Sequence, residues 1–271
     1  MEQFKSVEIT PKLEVLKRVI RSAGKIAIAF SGGIDSSLVA KVAYDELKDN
    51  ALAITLDSDV FPRRDLLASK KTAGEIGIEH IIVKQLKLDD STFACNSKER
   101  CYLCKKGEIG LIKKTALARA IDNIAYGVNE SDQNEHRPGI RALIEAGVLF
   151  PLKEAGIGKS LIPHIAKLTG LSNWNMPSTT CLASRIPYGT IIDPDKLARI
   201  EQAEEYLLGI RVRDSRVRYH GDIARIEVPH DEIDRIISGK EAIVEEFRRL
   251  GFTYITLDLQ GYRSGSMDEI L

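Results

Sequence analysis

Ser31-Gly32-Gly33-Ile34-Asp35-Ser36-Ser37 follows the apolar run KIAIAF (25–30) and precedes a helical pattern reaching about Leu47. A short apolar run of this kind suits a strand buried in a parallel sheet. Two glycines let backbone approach a phosphate closely, and N–H groups at the start of a helix attract an anion. Ser31, Ser36 and Ser37 add hydroxyl donors, whereas Asp35 suits a Mg²⁺ that bridges phosphate oxygens. The bland alternative, a glycine turn capped by serine, fits the strand–loop–helix setting less well. No Gly-Lys-Ser/Thr closes the loop, so it is not a Walker A motif. The Gly-Lys-Ser at 158–160 has Lys153 where that motif needs its first glycine, and it reads as a helix start.

Outward from the loop, strands and helices alternate. Residues 11–23 read as a helix with Leu13, Leu16, Val19 and Ile20 on one face. ALAITL (51–56), EHIIVK (79–84) and DNIAYG (122–127) read as strands, and VLFPL (148–152) as a candidate fifth. Helices are expected over 65–77, 104–120 and 158–169. This order predicts an α/β, doubly wound parallel sheet. Ligands of such sheets lie beyond the carboxyl ends of the strands. Asp57 and Ser58 after the second strand are therefore candidates for adenosine or metal, with a helix cap as the plain alternative. Gly127, Asn129, Asp132 and Arg137 after the fourth are candidates for pyrophosphate and, through Asp132, Mg²⁺.

The pattern changes after the turn-rich stretch 172–190. A helix is expected over 194–208, a hairpin of SRVRYH and IARIEV across Gly221–Asp222, helices over 230–238 and 240–250, and a strand TYITLDL. The expected organisation is a first domain over 1–171, a cysteine-bearing loop over 172–190 and a small α+β domain over 191–271.

The chain has 271 residues, 44% hydrophobic and 29% charged, with 39 basic and 39 acidic side chains. Balanced charge argues against a strongly basic nucleic-acid binder. Residues 191–271 carry 12 basic and 17 acidic residues, a net −5, so the four arginines of 211–218 are a local feature. No apolar stretch approaches the roughly 20 residues of a membrane helix, and the first residues lack a signal-peptide core. The cytoplasm is the expected location. There, Cys95, Cys101, Cys104 and Cys181 fit metal binding or catalysis better than disulfides. Cys101 and Cys104 form one Cys-x-x-Cys, half a zinc site. With Cys181 they make three thiolates, enough for a 4Fe–4S cluster with one open iron. Cys95 reads as a buried bystander, with a fourth cluster ligand as the alternative.

SGG-x-DS after an apolar strand resembles the PP-loop of ATP pyrophosphatases, which include GMP and NAD synthetases, asparagine synthetase and tRNA thiolation enzymes. That resemblance implies cleavage between the α- and β-phosphates of ATP and adenylation of a substrate oxygen. SGGIDSS, RCYLCK, YGVNESDQNEHRPG, CLASRIPYG from Cys181, and Arg216-Val-Arg218-Tyr-His-Gly221 together resemble the LarE-type PP-loop sulfur transferases over nearly the whole chain. The family implies a pyridinium-3,5-dicarboxylate mononucleotide as substrate, made into a thiocarboxylate for the nickel-pincer nucleotide cofactor of lactate racemase. It implies Cys181 as catalytic, with Arg185 stabilising its thiolate. Ser184, Arg185, Glu204 (Glu201 as rival), Arg216 and Arg218 are implied for the substrate. Arg216 and Arg218 are two apart in a strand and face one side, and their planar forks suit carboxylate and phosphate. Some members sacrifice the cysteine sulfur; others hold a 4Fe–4S cluster. All three cysteines are present, which favours the cluster, though Cys181 alone suffices for sacrifice. A homo-oligomer, in the family a hexamer, is also implied. The competing readings are tRNA thiolation, an ammonia-using amidase and an ATP-sensing module.

Overall fold

The computed structural model describes residues 2–134, 138–176, 179–263, 265–267 and 269. They form two compact units: 1–85 with 99–179, and 86–98 with 180–271.

In the first unit the elements are α1 (Glu2–Ala23), β1 (Ile26–Ala29), α2 (Ile34–Leu47), β2 (Ala51–Ser58), α3 (Arg63–Ile76) and β3 (Glu79–Gln85). The order in sequence is then interrupted by α4 (Ser91–Ala94), which belongs to the second unit. The first unit continues with α5 (Arg100–Leu117), β4 (Asn123–Ala125), α6 (Pro138–Glu145), α7 (Pro151–Glu154) and α8 (Ile162–Leu168). The four strands pair in parallel in the order β3-β2-β1-β4. Alternation along β1 sends Ile26 and Ile28 to one face and Ala27 to the other, and both faces are buried. On the first face lie Leu16 and Ile20 of α1, Leu38 and Val42 of α2, and Ile165 of α8. On the second lie Ile109 and Ile112 of α5 and Leu143 of α6. This is the doubly wound α/β architecture expected from the alternation. The apolar face of α1 holds for Leu13, Leu16 and Ile20, but Val19 is only half-buried.

Two expectations fail locally. VLFPL is not a fifth strand: Leu149 makes one isolated parallel bridge with Ala125, and Pro151 then opens α7. Proline at the first helical position is favourable, and it has no N–H to continue a ladder. Likewise α8 begins at Ile162, not at 158, so Gly158–Ser160 is a turn, with the Gly158 carbonyl accepting from Leu161 N–H.

The second unit contains α4, α9 (Pro194–Gly209), β5 (Arg216–His220), β6 (Ile223–Glu227), α10 (Ile233–Ser238), α11 (Lys240–Arg249) and β7 (Tyr254–Leu257). β5 and β6 form the expected hairpin, turned by Gly221 at φ +66°. The two short helices α10 and α11 form the crossover that makes β7 parallel to β6. Asp193 caps α9, its carboxylate accepting from Lys196 N–H at 2.8 Å. Ala203, Leu207, Val217, Ile226, Phe247 and Phe252 form the core. Residues 86–98 belong here, and so interrupt the continuous 1–171 domain read from sequence. The fully buried Asn96 explains why: its amide donates to the Pro187 and Thr190 carbonyls at 2.8 and 3.0 Å. Its own carbonyl accepts from Gly189 N–H, and the Ala94 carbonyl from Ile192 N–H. Among the described residues no helix is long and apolar enough to cross a membrane.

Candidate active site

The chain runs from β1 out through β2 to β3, then returns to place β4 on the opposite side of β1. That reversal is the topological switch point, where the loops after β1 and β4 diverge and leave a crevice.

The loop after β1 is built for close approach. Gly32 has φ +77°, and a Cβ there would lie 2.7 Å from the Ser69 backbone. Ser31 Oγ and Ser36 Oγ are 3.1 Å apart, Gly33 N–H donates to Ser31 Oγ, and Ser36 Oγ donates to the Gly33 carbonyl. α2 then begins with Gly33 as its cap residue and no side-chain cap on its N–H groups. Such a helix start attracts anions.

The loop after β4 docks against it. A Cβ on Gly127 would lie 2.8 Å from Ser36 N, so only glycine permits this approach. The fully buried Asn129 then ties two carboxylates together. Its Nδ2 donates to Asp35 Oδ2 at 3.0 Å, and its backbone N–H donates to Asp132 Oδ2 at 3.1 Å. Lys159 Nζ lies 3.5 Å from Asp132 Oδ1, and its N–H donates to Ser131 Oγ. A cavity of about 270 Å³ is lined by Ile34, Asp35, Lys159, Pro163, Trp174 and Met176, among others. Lys159 carries no local signal of this contact, because its Gly-Lys-Ser fails as a Walker A motif and reads as a helix start. Nor does the sequence mark Asn173, whose amide donates to the Gly32 carbonyl at 2.9 Å and to Ser37 Oγ at 3.0 Å. A lone Asn in a loop carries no signal of either contact.

At the end of β2, Asp57 pairs with Arg63 at 2.6 Å and Ser58 Oγ donates to Asp59. Neither caps α3, whose cap residue is Pro62. Arg137 lies outside the described residues. Deeper in the sheet, Thr55 Oγ1 donates to the Phe30 carbonyl at 2.6 Å and lies 2.7 Å from His80 Nε2. This supports the residue from which the loop departs. Burial, helped by Lys70, holds His80 below its ordinary range.

Cys101 and Cys104 lie near the start of α5, three residues apart and so on one face. Both are half-buried; Arg100 approaches Cys101 Sγ at 3.6 Å, and Cys104 Sγ donates to Glu108 at 3.4 Å. Cys95 is exposed, not buried, with its thiol donating to the Thr92 carbonyl.

In the second unit Cys181 precedes a single 3₁₀ turn, Leu182–Arg185. Arg185 is 1% exposed and grips Glu204 with Nε and NH2 at 2.9 and 3.1 Å. Its NH1 donates to the Cys181 carbonyl at 3.0 Å, the Thr180 carbonyl and Ser184 Oγ. Glu204 also accepts from Val217 N–H on β5. Burial disfavours both charges, but their mutual attraction and hydrogen bonds outweigh it: Arg185 is held above its ordinary range and Glu204 below. Glu201 is only half-buried on the same helix. Arg216 and Arg218 lie on one face of β5, both buried. Arg216 sits over the Tyr262 ring, 4.9 Å from its centre. Burial and the neighbouring Arg185 push Arg216 below the usual arginine range.

Among the described residues, no group of three or more His, Cys, Asp or Glu side chains is gathered as a metal site. The loops at the β1/β4 switch point define an ATP-using enzyme of the PP-loop class, and a family model described as NAD synthase matches residues 9–131. The pyridinium-3,5-bisthiocarboxylic acid mononucleotide synthase of Lactiplantibacillus plantarum is 34% identical over 264 residues, 97% of this chain and 96% of that protein. An uncharacterized protein of Synechocystis sp. is 39% identical over 96% of this chain and 98% of its own length. Another, of Methanocaldococcus jannaschii, is 33% identical over 89% and 91%. The chain therefore belongs to the LarE-type family of PP-loop sulfur transferases.

Proposed function

We propose that this protein uses ATP to adenylate a carboxylate of pyridinium-3,5-dicarboxylate mononucleotide and then replaces AMP with sulfur, giving a thiocarboxylate. The near full-length similarity to the L. plantarum synthase carries this reading.

Adenylation converts a poor electrophile into an acyl group with a good leaving group. The substrate carboxylate oxygen bonds to the α-phosphorus while the α–β bridging bond breaks and pyrophosphate leaves. The N–H groups of 31–37 and the α2 N-terminus would hold the phosphates, with Ser31, Ser36 and Ser37 adding donors. Lys159 would offset the charge of the departing pyrophosphate, Arg137 would assist, and Asp57 and Ser58 would meet the adenosine. Asp35 and Asp132, hard oxygen donors joined through Asn129, suit a Mg²⁺, which would screen phosphate charge when bound.

Cys181 would deliver sulfur to the acyl-adenylate. In the sacrificial route its sulfur bonds to the acyl carbon and AMP leaves. Loss of the Cys181 Hα then breaks the Cβ–S bond and leaves dehydroalanine. In the alternative, Cys101, Cys104 and Cys181, a soft thiolate set, would hold a 4Fe–4S cluster that supplies sulfide when bound. Ser184, Arg185, Arg216 and Arg218 would serve the anionic substrate. Arg185 and Glu204 fix the backbone of the cysteine turn. We further propose that the enzyme works in the cytoplasm as a homo-oligomer, hexameric as in the family, without nucleic acid.

The test is anaerobic incubation with ATP, Mg²⁺ and the dicarboxylated nucleotide, followed by mass spectra of protein and small molecules. Thiocarboxylate with protein lighter by one H₂S identifies the sacrificial route. Product exceeding protein, with sulfide required and protein mass unchanged, identifies the cluster route. Absence of sulfur in the nucleotide overturns the proposal.

A further inference from the structure

The hairpin register sets Arg218 opposite Arg225, two like charges on paired strands. Such a pair is destabilising by itself. Glu227, two residues further along β6 and fully buried, answers both. Its Oε2 accepts from Arg218 Nε and NH2 at 2.9 and 2.7 Å. Its Oε1 accepts from Arg225 NH2 at 3.1 Å and from Ser266 Oγ at 2.9 Å. Ser266 in turn accepts from Arg218 NH2 at 3.1 Å, and Arg218 NH1 donates to the Ser184 carbonyl at 3.1 Å. Met267 Sδ accepts from Arg225, and Asp258 pairs with it at 3.4 Å. Residues far apart in sequence thus converge on one guanidinium.

We infer that Glu227 and Ser266 are positioning residues that fix the Arg218 fork against Ser184, so that its orientation is set before substrate arrives. Glu227 has no second role in this arrangement: both its oxygens are consumed by arginines and a hydroxyl. A buried carboxylate used only for stability is replaceable by packed apolar side chains. One that spans two opposed arginines and a seryl hydroxyl instead specifies a direction. The inference rests on the reading above that Arg218 serves the anionic substrate.

The test uses the full chain with Glu227→Gln, which keeps shape and one acceptor oxygen, and Ser266→Ala, which removes the bridge but neither charge. Three readouts are taken: KM for the dicarboxylated nucleotide against KM for ATP, Tm, and the Nε–H signal of Arg218 in the ligand-free protein by NMR. Misorientation of a substrate-holding group costs about 10- to 100-fold. The expected result is a rise of that order in the nucleotide KM for Glu227→Gln and a smaller rise for Ser266→Ala. The ATP KM stays within twofold, and the Arg218 Nε–H, which donates to Glu227 alone, loses its protection from exchange in Glu227→Gln. An unchanged nucleotide KM with Tm retained overturns the inference. So does a parallel rise in both KM values that tracks a fall in Tm, the mark of a structural role only. If the unsubstituted protein fails to use this nucleotide, the functional reading falls, and the NMR signal alone decides: retained Nε–H protection in Glu227→Gln overturns the positioning role.

Discussion

The phosphate loop and the arginine cluster of the second unit reach polar sites by opposite means. In the first, charge is sparse: hydroxyls, backbone N–H groups and a helix start surround one pair of carboxylates joined by Asn129. In the second, full charges are buried in pairs, Arg185 with Glu204 and Arg218 with Glu227. The first is shaped by geometry that backbone conformation enforces. The second holds its own loop and strand by ion pairs that are costly to break, because removing one partner leaves a buried charge uncompensated. The loop is therefore sensitive to small added volume, and the cluster to lost charge.

Five substitutions break or sharpen this contrast. Cys181→Ala should abolish thiocarboxylate formation while ATP-dependent pyrophosphate release with the substrate continues; mass spectrometry of products separates the two. Asp35→Asn should lower AMP formation about 100-fold or more, as expected for lost electrostatic stabilisation in a transition state, with Tm little changed in thermal melts. Glu204→Gln should cost about 3–5 kcal/mol of stability, read by denaturant titration. Gly127→Ala should cost about 1–3 kcal/mol through overpacking against Ser36 and weaken ATP binding by calorimetry. Arg63→Ala should cost at most about 1 kcal/mol, because its partner Asp57 is an exposed-side pair.

Acid sharpens the comparison further. Glu204 titrates below its ordinary 4.5 in the folded protein, so its pairing contributes stability that is present above that value. As pH falls below 4.5 through the folded value, this contribution is lost. Denaturation followed between pH 6 and pH 3 should show a stability loss that Glu204→Gln largely removes.

Much of this was legible along the chain because it depends on near neighbours. The strand–loop–helix around 31–37 is continuous, and its glycines and serines act within a few residues. Asp132 and Asn129 follow their strand directly. Arg216 and Arg218 share a face by simple alternation. By contrast, nothing local marks Asn173, which meets the Gly32 carbonyl across 141 positions. Ser266 reaches Arg218 across 48. VLFPL failed as a strand because an apolar run does not reveal that Pro151 will start a helix.

The sequence by itself determined the class of sheet, the phosphate loop and the family, since periodicity and short motifs express local backbone preference. Only the tertiary structure decided which charges pair and which segment belongs to which unit. It committed Glu204 to Arg185 and Glu227 to Arg218, and it brought Lys159 to Asp132. It also carried residues 86–98 into the second unit through Asn96. The physical reason is that a buried polar group must find its partner wherever the fold brings one, and that partner's place in the chain leaves no local trace.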